Sequence, residues 1–195
     1  MLWSGSQHRA KSTVGAGPPP TTFLLELGAG FSFVALLGVQ FDFFSIRHII
    51  YDMRLKRVVL DTNVLVAAGR SRNGASFAIL QAVRAGRFRM LASIPLFLEY
   101  EAVLKRPEQL TVGYRTLQMV DDFLDALSIW IEPVHLMFLW RPQLRDPDDE
   151  MVLETALNGR ADVLITFNVD DFSAAGRFGL PVLTPAAFLR QLNEE

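Results

Sequence analysis

The chain contains no cysteine and only three histidines. Without cysteine it forms neither disulfides nor thiolate metal sites. The histidines, His8, His48 and His135, lie far apart in the sequence and do not suggest a zinc ligand set. Any metal ion bound by this chain is therefore expected to be a hard cation held by oxygen atoms.

Positive charge is not in excess, and long hydrophobic runs are absent. The 19 basic and 21 acidic residues give a net charge of −2, so the overall charge does not indicate a nucleic-acid partner. One basic patch is nevertheless enough to contact phosphates. The uncharged run over residues 27–41 is shorter than the roughly 20 residues that span a bilayer. We therefore expect a cytoplasmic protein without a membrane-spanning segment.

Residues 1–52 differ in composition from the rest of the chain. They begin with a stretch rich in Ser, Gly and Pro, which ends in the three prolines at 18–20. We predict that translation naturally starts at Met53 and that the preceding residues come from a misplaced start. A disordered extension or a weak membrane-associating segment is the alternative. Residues 53–195 are expected to form the folded domain.

From Met53 onward, patterns typical of strands and helices alternate. Short apolar runs predict strands at residues 58–60, 88–92, 129–131, 163–165 and 182–183. Helical periodicity and end signals predict helices at residues 75–85, 95–105, 114–128, 147–158 and 185–192. This alternation predicts a three-layer α/β/α domain with a mainly parallel central sheet.

Polar residues follow the first and fourth predicted strands. Asp61 and Asn63 come directly after the first, and Thr166 and Asn168 come directly after the fourth. Ligands of open α/β sheets bind beyond the carboxyl ends of the strands. A carboxylate beside an apolar run is costly to desolvate unless it is paired or binds a cation. Asp61 is therefore either a site residue or, equally well from its position alone, a helix N-cap.

A second acidic group surrounds the start of the helix predicted over residues 147–158. Asp146 fits a helix cap, and whether it also binds a metal stays open at this point. Asp149 is spaced so that it shares the inward-facing side of the apolar residues that follow it. We predict that Asp148 and Glu150 are solvated and that Asp149 is the ligand.

A third acidic group lies in the helix predicted after the second strand. Glu101 precedes Lys105 by one helical turn, which favours a surface ion pair. Glu99 aligns with a more apolar side, so we predict that it points inward. Several carboxylates at one sheet edge repel each other unless a divalent cation neutralises them. Magnesium or manganese does so and supports phosphoryl chemistry without cysteine or histidine.

Four segments in this order and spacing resemble PIN domains. Their opening strand resembles VVLDTNVL at residues 58–65, and their second acidic helix resembles EYEAVL at 99–104. Two further segments, WRPQLRDPDDE at 140–150 and TFNVDDF at 166–172, resemble one subgroup of this family, the toxin components of bacterial toxin–antitoxin pairs. The resemblance covers essentially all of residues 53–195 and nothing before them.

The resemblance implies a magnesium- or manganese-dependent endoribonuclease, often a homodimer, that is inhibited by a small antitoxin protein encoded beside it. It implies acidic ligands at Asp61, Glu99 and Asp149, and it implies that Asn63 and Thr166 orient water or phosphate by hydrogen bonding.

The fourth motif departs from the family pattern. Many PIN domains carry an acid right after the fourth strand, where this chain has Asn168. Asp171 is the nearest substitute and Asp170 the next, although Asp171 also suits a cap of a helix beginning near Phe172. A catalytically weak module that binds RNA or the antitoxin is the alternative function.

RNA contacts are harder to assign from the sequence. We place Arg70 and Arg72 in a glycine-containing loop near the end of the first strand, and Arg141 and Arg145 before the acidic turn. Each suits a phosphate contact and equally suits a solvated surface.

The aromatic residues before the acidic turn have two interpretations. Trp140 and Phe138 suit base stacking, although packing in the core or a dimer is the more common role. Residues 138–140, together with the helix predicted over 114–128, are also predicted to form an apolar surface for dimerisation or antitoxin docking.

Overall fold

The protein is described here by a computed structural model that covers residues 55–112 and 116–194. The predicted extension over residues 1–52 and the predicted helix start at Tyr114 lie outside the described residues. The strands are β1 Arg57–Leu60, β2 Arg89–Ser93, β3 Ile131–Val134, β4 Val163–Ile165 and β5 Val182–Leu183.

Helices connect the strands along the whole described part of the chain. They are α1 Thr62–Arg70, α2 Ala75–Arg84, α3 Ile94–Leu104, α4 Pro107–Val112, α5 Leu117–Trp130, α6 Glu150–Asn158 and α7 Pro185–Glu194, with a 3-10 segment over Val169–Phe178. Within residues 55–112 and 116–194, none of these helices has the length and apolar character needed to cross a bilayer.

The five strands form one parallel sheet in the order β3-β2-β1-β4-β5. β1 is the central strand of the sheet. β2 and β3 follow on one side of it, and the chain then crosses to form β4 and β5 on the other side. β1 is buried along Val58, Val59 and Leu60, as the continuous apolar run predicts for a central parallel strand. The predicted three-layer α/β/α fold with a central parallel sheet is therefore confirmed.

The elements differ from the predictions in several places, most clearly in α6, α5 and α1. Helix α6 begins at Glu150 rather than Pro147, because residues 147–149 form a turn in which the Asp148 N–H donates to Asp146 Oδ1 at 3.0 Å. Helix α5 runs through Ile129 and Trp130, so β3 starts later than predicted. Helix α1 was not predicted, because its apolar residues follow the first strand without a break.

The core lies on both faces of the sheet. Its largest fully buried side chains include Tyr100 from α3, Phe172 from the 3-10 segment and Phe188 from α7. Phe188 packs edge-to-face on Phe88, with ring centroids 5.2 Å apart, and so attaches the C-terminal helix to the start of β2. The helices thus hold β1 and its neighbours rigidly from both sides.

The end of α6 packs too closely for a larger residue at Gly159. A Cβ atom there lies 2.8 Å from Thr155 O, 2.9 Å from Leu91 Cδ1 and 2.9 Å from Val134 Cγ2. We expect Gly159→Ala to lower the free energy of unfolding by about 1–3 kcal/mol, because overpacking a filled site forces neighbours to move. Urea denaturation measures this. Gly176→Ala is the matched control, since its Cβ meets nothing within 4 Å. Equal stabilities of both variants contradict the prediction.

Candidate active site

The candidate site lies at the carboxyl ends of β1 and β4. The order in which the chain adds strands reverses between these two strands. These strands pair in parallel register with Leu60 opposite Ile165, and the Asp61 N–H donates to Ile165 O at 2.9 Å. Asp61 and Thr166 therefore leave the sheet side by side. Such a switch point is where open α/β sheets bind their ligands. The sheet order brings together residues that are 105 positions apart in the chain.

Three side chains form a closed hydrogen-bonded group at this point. Thr166 Oγ1 and Asn63 Nδ2 each donate to Asp61 Oδ2 at 2.6 Å, and Asn63 Nδ2 also reaches Thr166 Oγ1 at 3.0 Å. Thr166 is fully buried and Asp61 is 5% exposed. Although Asp61 occupies the N-cap position of α1, its side chain makes no capping hydrogen bond. Asp61 thus stands at the predicted N-cap position, while its carboxyl accepts from the side chains of Thr166 and Asn63.

The ionised form of the Asp61 carboxyl is unfavourable in its surroundings. Burial raises the pKa of Asp61 above its ordinary value, and the hydrogen bond from Thr166 opposes this rise. The nearby charge of Asp171 raises the pKa further. A carboxylate in this position gains from a cation, which stabilises its ionised form.

Asp149 immediately precedes α6 and belongs to the same electrostatic environment. Its pKa rises to about 6, chiefly through burial and then through the charges of Asp61, Asp146, Asp171 and Asp148. Asp61, Asp149 and Asp171, from three separate elements, thus act on one another. A carboxyl with a raised pKa among like charges in a cleft is typical of functional sites.

Asp171 lies in the first turn of the 3-10 segment, which begins at Val169. Asn168 occupies the N-cap position of this segment, and its N–H donates to Thr166 Oγ1 at 3.0 Å. No side-chain hydrogen bond of Asp171 occurs within the described ranges, and its side chain is exposed. The backbone leaves helical geometry at Phe172, so the cap role of Asp171 for a helix beginning there stays a prediction beside its metal role.

Glu99 is half-buried on α3 and stands apart from the three aspartates. Neither Asp61 nor Asp149 has a pKa shift to which Glu99 contributes. Its neighbour Tyr100 reaches the site instead, because its hydroxyl donates to Leu60 O at 2.5 Å. Burial, followed by the charge of Asp61, raises the pKa of Tyr100 well above its ordinary value. The predicted ion pair of Glu101 is confirmed, at 2.6 Å from Lys105 Nζ.

The predicted ligands do not form a preassembled cluster. Among residues 55–112 and 116–194, no three His, Asp or Glu side chains lie close enough to hold a metal ion together. The chemistry of the available donors nevertheless fits a hard divalent cation. Asp61, Asp149 and Asp171 offer only oxygen atoms, and the repulsion that raises the pKa of Asp149 is relieved when positive charge enters.

Glu150 contradicts the prediction that it is solvated. It is 2% exposed, and its Oε1 atom accepts from the N–H groups of Gln143 at 2.5 Å and Leu144 at 2.8 Å. Its side chain turns away from solvent because these two backbone donors need an acceptor. The sequence signal is that Glu150 begins a series of polar residues, at helical spacing with Glu154 and Asn158, along one side of α6.

The other two members of that series hold the preceding segment. Fully buried Glu154 accepts from Arg141 Nε at 3.1 Å, from Arg141 Nη2 at 3.0 Å and from the Trp140 N–H at 3.2 Å. Asn158 Oδ1 accepts from the Phe138 N–H at 3.0 Å, and its Nδ2 donates to Phe138 O at 2.9 Å. Arg141 is therefore a structural residue paired with Glu154, and its predicted contact with phosphate is not supported.

The remaining predicted arginines separate into two places. Arg70 ends α1 rather than lying in a loop, and it donates to Gln109 Oε1 at 3.0 Å. At about 1.5 Å per residue, α1 separates the backbone of Arg70 from that of Asp61 by roughly 13 Å along its axis, and Arg72 follows in a turn. Arg145 instead lines a cleft of about 560 Å³ together with Asp171 and with Arg177, which sequence reasoning missed.

The burial of Asp149, together with repulsion from the neighbouring aspartates, should be measurable as lost stability. The folded-state pKa of Asp149, about 6, exceeds its ordinary 3.8, so the folded protein binds more protons between these values and loses stability as pH rises through them. We expect Asp149→Asn to raise the Tm in EDTA by about 2 °C at pH 7.5, a small shift because the group is partly exposed. The gain should shrink at pH 4.

Asp125→Asn, which removes an exposed charge on α5, is the control for that measurement. Thermal melts by circular dichroism compare the two variants with the parent. A Tm of Asp149→Asn at or below the parent value at pH 7.5 rules the explanation out.

Known proteins resemble the described domain. No curated protein has a sequence that matches the chain. VapBC2 from Rickettsia felis, bound to a DNA fragment from their promoter, is 13% identical with a TM-score of 0.49, covering 66% of this chain and 98% of that one. VapBC-1 from nontypeable Haemophilus influenzae is 18% identical with a TM-score of 0.47, covering 67% and 98%. FitAB bound to an IR36 DNA fragment is 17% identical with a TM-score of 0.46, covering 66% and 94%.

Sequence identities and TM-scores this low do not assign the family. The family is assigned by the match to a family sequence profile. The PIN domain profile matches residues 57–170, more than half of the chain. The match runs from β1 into the 3-10 segment and so includes Asp61, Glu99 and Asp149. The chain belongs to the PIN domain family.

Proposed function

We propose that this protein is a magnesium- or manganese-dependent endoribonuclease that hydrolyses RNA phosphodiester bonds. It acts in the bacterial cytoplasm as the toxin of a toxin–antitoxin pair. Its family, the PIN nucleases, supports the general activity. The observation that carries the proposal is the group formed by Asp61, Asn63 and Thr166 at the switch point, with Asp149 beside it and its pKa raised to about 6.

A divalent cation would be held by Asp61 and Asp149, with Asp171 and Glu99 as further ligands. When bound, a divalent cation polarises a phosphoryl oxygen and makes hydroxide available near neutral pH. Thr166 and Asn63 fix the orientation of Asp61, because both donate to Oδ2 and neither uses Oδ1. Asn168 lies two residues after Thr166 at the end of β4. Its side chain is a neutral amide, so it adds no negative charge to the site, as a carboxylate in this position would.

The proposed partners are an RNA substrate, a small antitoxin protein and a second copy of the chain. This role is supported by the resemblance of residues 140–150 and 166–172 to toxin components. Coexpression with the product of an adjacent open reading frame tests it. Growth arrest by this chain that the neighbouring product relieves supports the toxin role, and arrest that the product leaves unchanged counts against it.

The central test of catalysis is Asp61→Asn, which keeps the shape of the side chain and removes its charge. We expect a loss of RNA cleavage of at least about 100-fold, since even groups that only support a metal ligand contribute 10–100-fold. The fold should persist, because the amide oxygen still accepts from Thr166. Cleavage of a fluorescently labelled RNA with manganese, followed on denaturing gels, measures this loss. Asp125→Asn serves as the control, and full activity of the parent in excess EDTA would refute the metal role.

Asp171 is tested by its effect on the metal requirement. We expect Asp171→Asn to raise the metal concentration for half-maximal cleavage and to leave the Tm nearly unchanged, because the side chain is exposed. Asn168→Asp should lower that concentration, because it adds a charge at the same strand end. Metal titrations of the two variants and the parent give the comparison. Early melting of Asp171→Asn with an unchanged metal requirement assigns the residue a structural role.

A catalytically weak module that binds RNA or antitoxin is the second candidate function. Asn168 favours it, because many PIN domains carry an acid there and this site has one charge fewer. The two functions differ in one measurement. Metal titration that produces no cleavage of any RNA by a folded, RNA-binding parent protein supports the weak module.

A further inference from the structure

Three aromatic side chains form an exposed surface beside the candidate active site. Phe138 is 67% exposed, Trp140 44% and Phe178 37%. The rings of Trp140 and Phe178 are in edge-to-face contact with centroids 5.7 Å apart, and those of Phe138 and Trp140 lie 6.4 Å apart. We call these three residues the aromatic surface. Among residues 55–112 and 116–194, these three side chains are therefore not part of the core.

The backbone of Phe138 and Trp140 is fixed by hydrogen bonds although their rings face solvent. Glu154 and Asn158 accept the N–H groups of Trp140 and Phe138, and Asn158 also donates to Phe138 O. Burying the charge of Glu154 is unfavourable, and its bidentate pairing with Arg141 compensates that cost. A surface fixed in advance loses little conformational entropy on binding, as a preformed ligand site requires.

Hydrogen bonds join the backbone beneath the aromatic surface to the cleft that contains Asp171. The Gln143 side chain donates to Trp140 O at 2.7 Å and accepts from Arg177 Nη2 at 3.2 Å. Gln143 and Arg177 line the 560 Å³ cleft that also contains Arg145 and Asp171. The cleft therefore runs from Asp171, past two arginines, to Gln143, whose side chain bonds the backbone carbonyl of Trp140.

We propose that Trp140 and Phe178 form a base-stacking subsite, and that Arg177 and Arg145 hold the RNA backbone between this subsite and the scissile phosphate. The inference rests on the proposed function. Aromatic faces stack only on unpaired bases, so the subsite selects an RNA with a single-stranded nucleotide next to the cleavage position. Guanidinium groups supply the backbone contacts.

The mixed charge of the cleft favours a nucleic acid over a protein partner. A protein-docking surface has few charges at its centre. Here the polar pair of Gln143 and Arg177 adjoins the rings, and the cleft beyond is strongly charged. Asp170 and Asp171 also lie in the cleft and repel phosphate. Arg145 and Arg177 offset that repulsion, as does a cation at the acids.

Binding is measured with the full chain carrying Asp61→Asn, in EDTA, so that the RNA stays intact. The probe is a fluorescein-labelled 12-nucleotide RNA of mixed sequence, followed by anisotropy, alone or annealed to its complement. Trp140→Ala and Phe178→Ala should each weaken single-strand binding about tenfold. They should leave duplex binding unchanged, and Trp140→Phe should restore most of the loss because a phenyl ring still stacks.

The arginine contribution has a different signature. Arg177→Ala should weaken binding and reduce the dependence of the Kd on salt, because one phosphate contact is lost. The matched controls are Ile129→Ala, which removes another exposed apolar side chain, and Arg190→Ala, which removes an exposed arginine on α7. Neither control should change the Kd. Circular dichroism verifies that all variants fold.

The outcomes separate this inference from the proposed function. If the parent cuts no RNA but single-strand binding still depends on Trp140, the subsite stands and the ribonuclease proposal fails. If the parent cuts RNA while Trp140→Ala and Phe178→Ala bind single strands normally, the subsite is refuted. Unchanged RNA binding together with loss of self-association of Trp140→Ala, seen by light scattering, makes the aromatic surface a protein interface and also refutes it.

Discussion

The hydrogen bond from Thr166 to Asp61 is the interaction on which the site depends. It joins the ends of β1 and β4, whose sequence positions are 105 residues apart, and it exists because the two strands are neighbours in a parallel sheet. Asn63 bonds to both partners and closes the group. A buried carboxylate is tolerated there because its hydrogen bonds come from groups that are themselves fixed by the fold.

A second constraint comes from α6, which organises the segment before it. Glu150, Glu154 and Asn158 recur along one side of the helix and accept backbone N–H groups that no strand or helix satisfies. The segment needs these acceptors because its extended backbone runs beside the helix without a strand partner. Asp149 lies one residue before this series, so the same helix positions an acid and the segment that carries the aromatic surface.

The sequence predicted the sheet well because a central parallel strand is buried on both faces, and its apolar run at residues 58–60 is visible without a structure. It also predicted Asp61, Thr166 and Asn63, because strand ends are marked by an abrupt change from apolar to polar residues. Glu150 was predicted wrongly for a physical reason. Within the acid-rich first turn only its helical spacing with Glu154 and Asn158 marks Glu150 as buried. Its partners are backbone groups, which every residue type presents equally.

Tyr100 explains how the element that carries Glu99 is tied to the element that carries Asp61. Its buried hydroxyl donates to Leu60 O, the carbonyl directly before Asp61, and so fixes α3 against the end of β1. Glu99 is the sequence neighbour of the donor, Tyr100, and Asp61 is the sequence neighbour of the acceptor, Leu60. Tyr100 therefore links the helix that carries Glu99 to the strand end that carries Asp61 without being one of the proposed ligands.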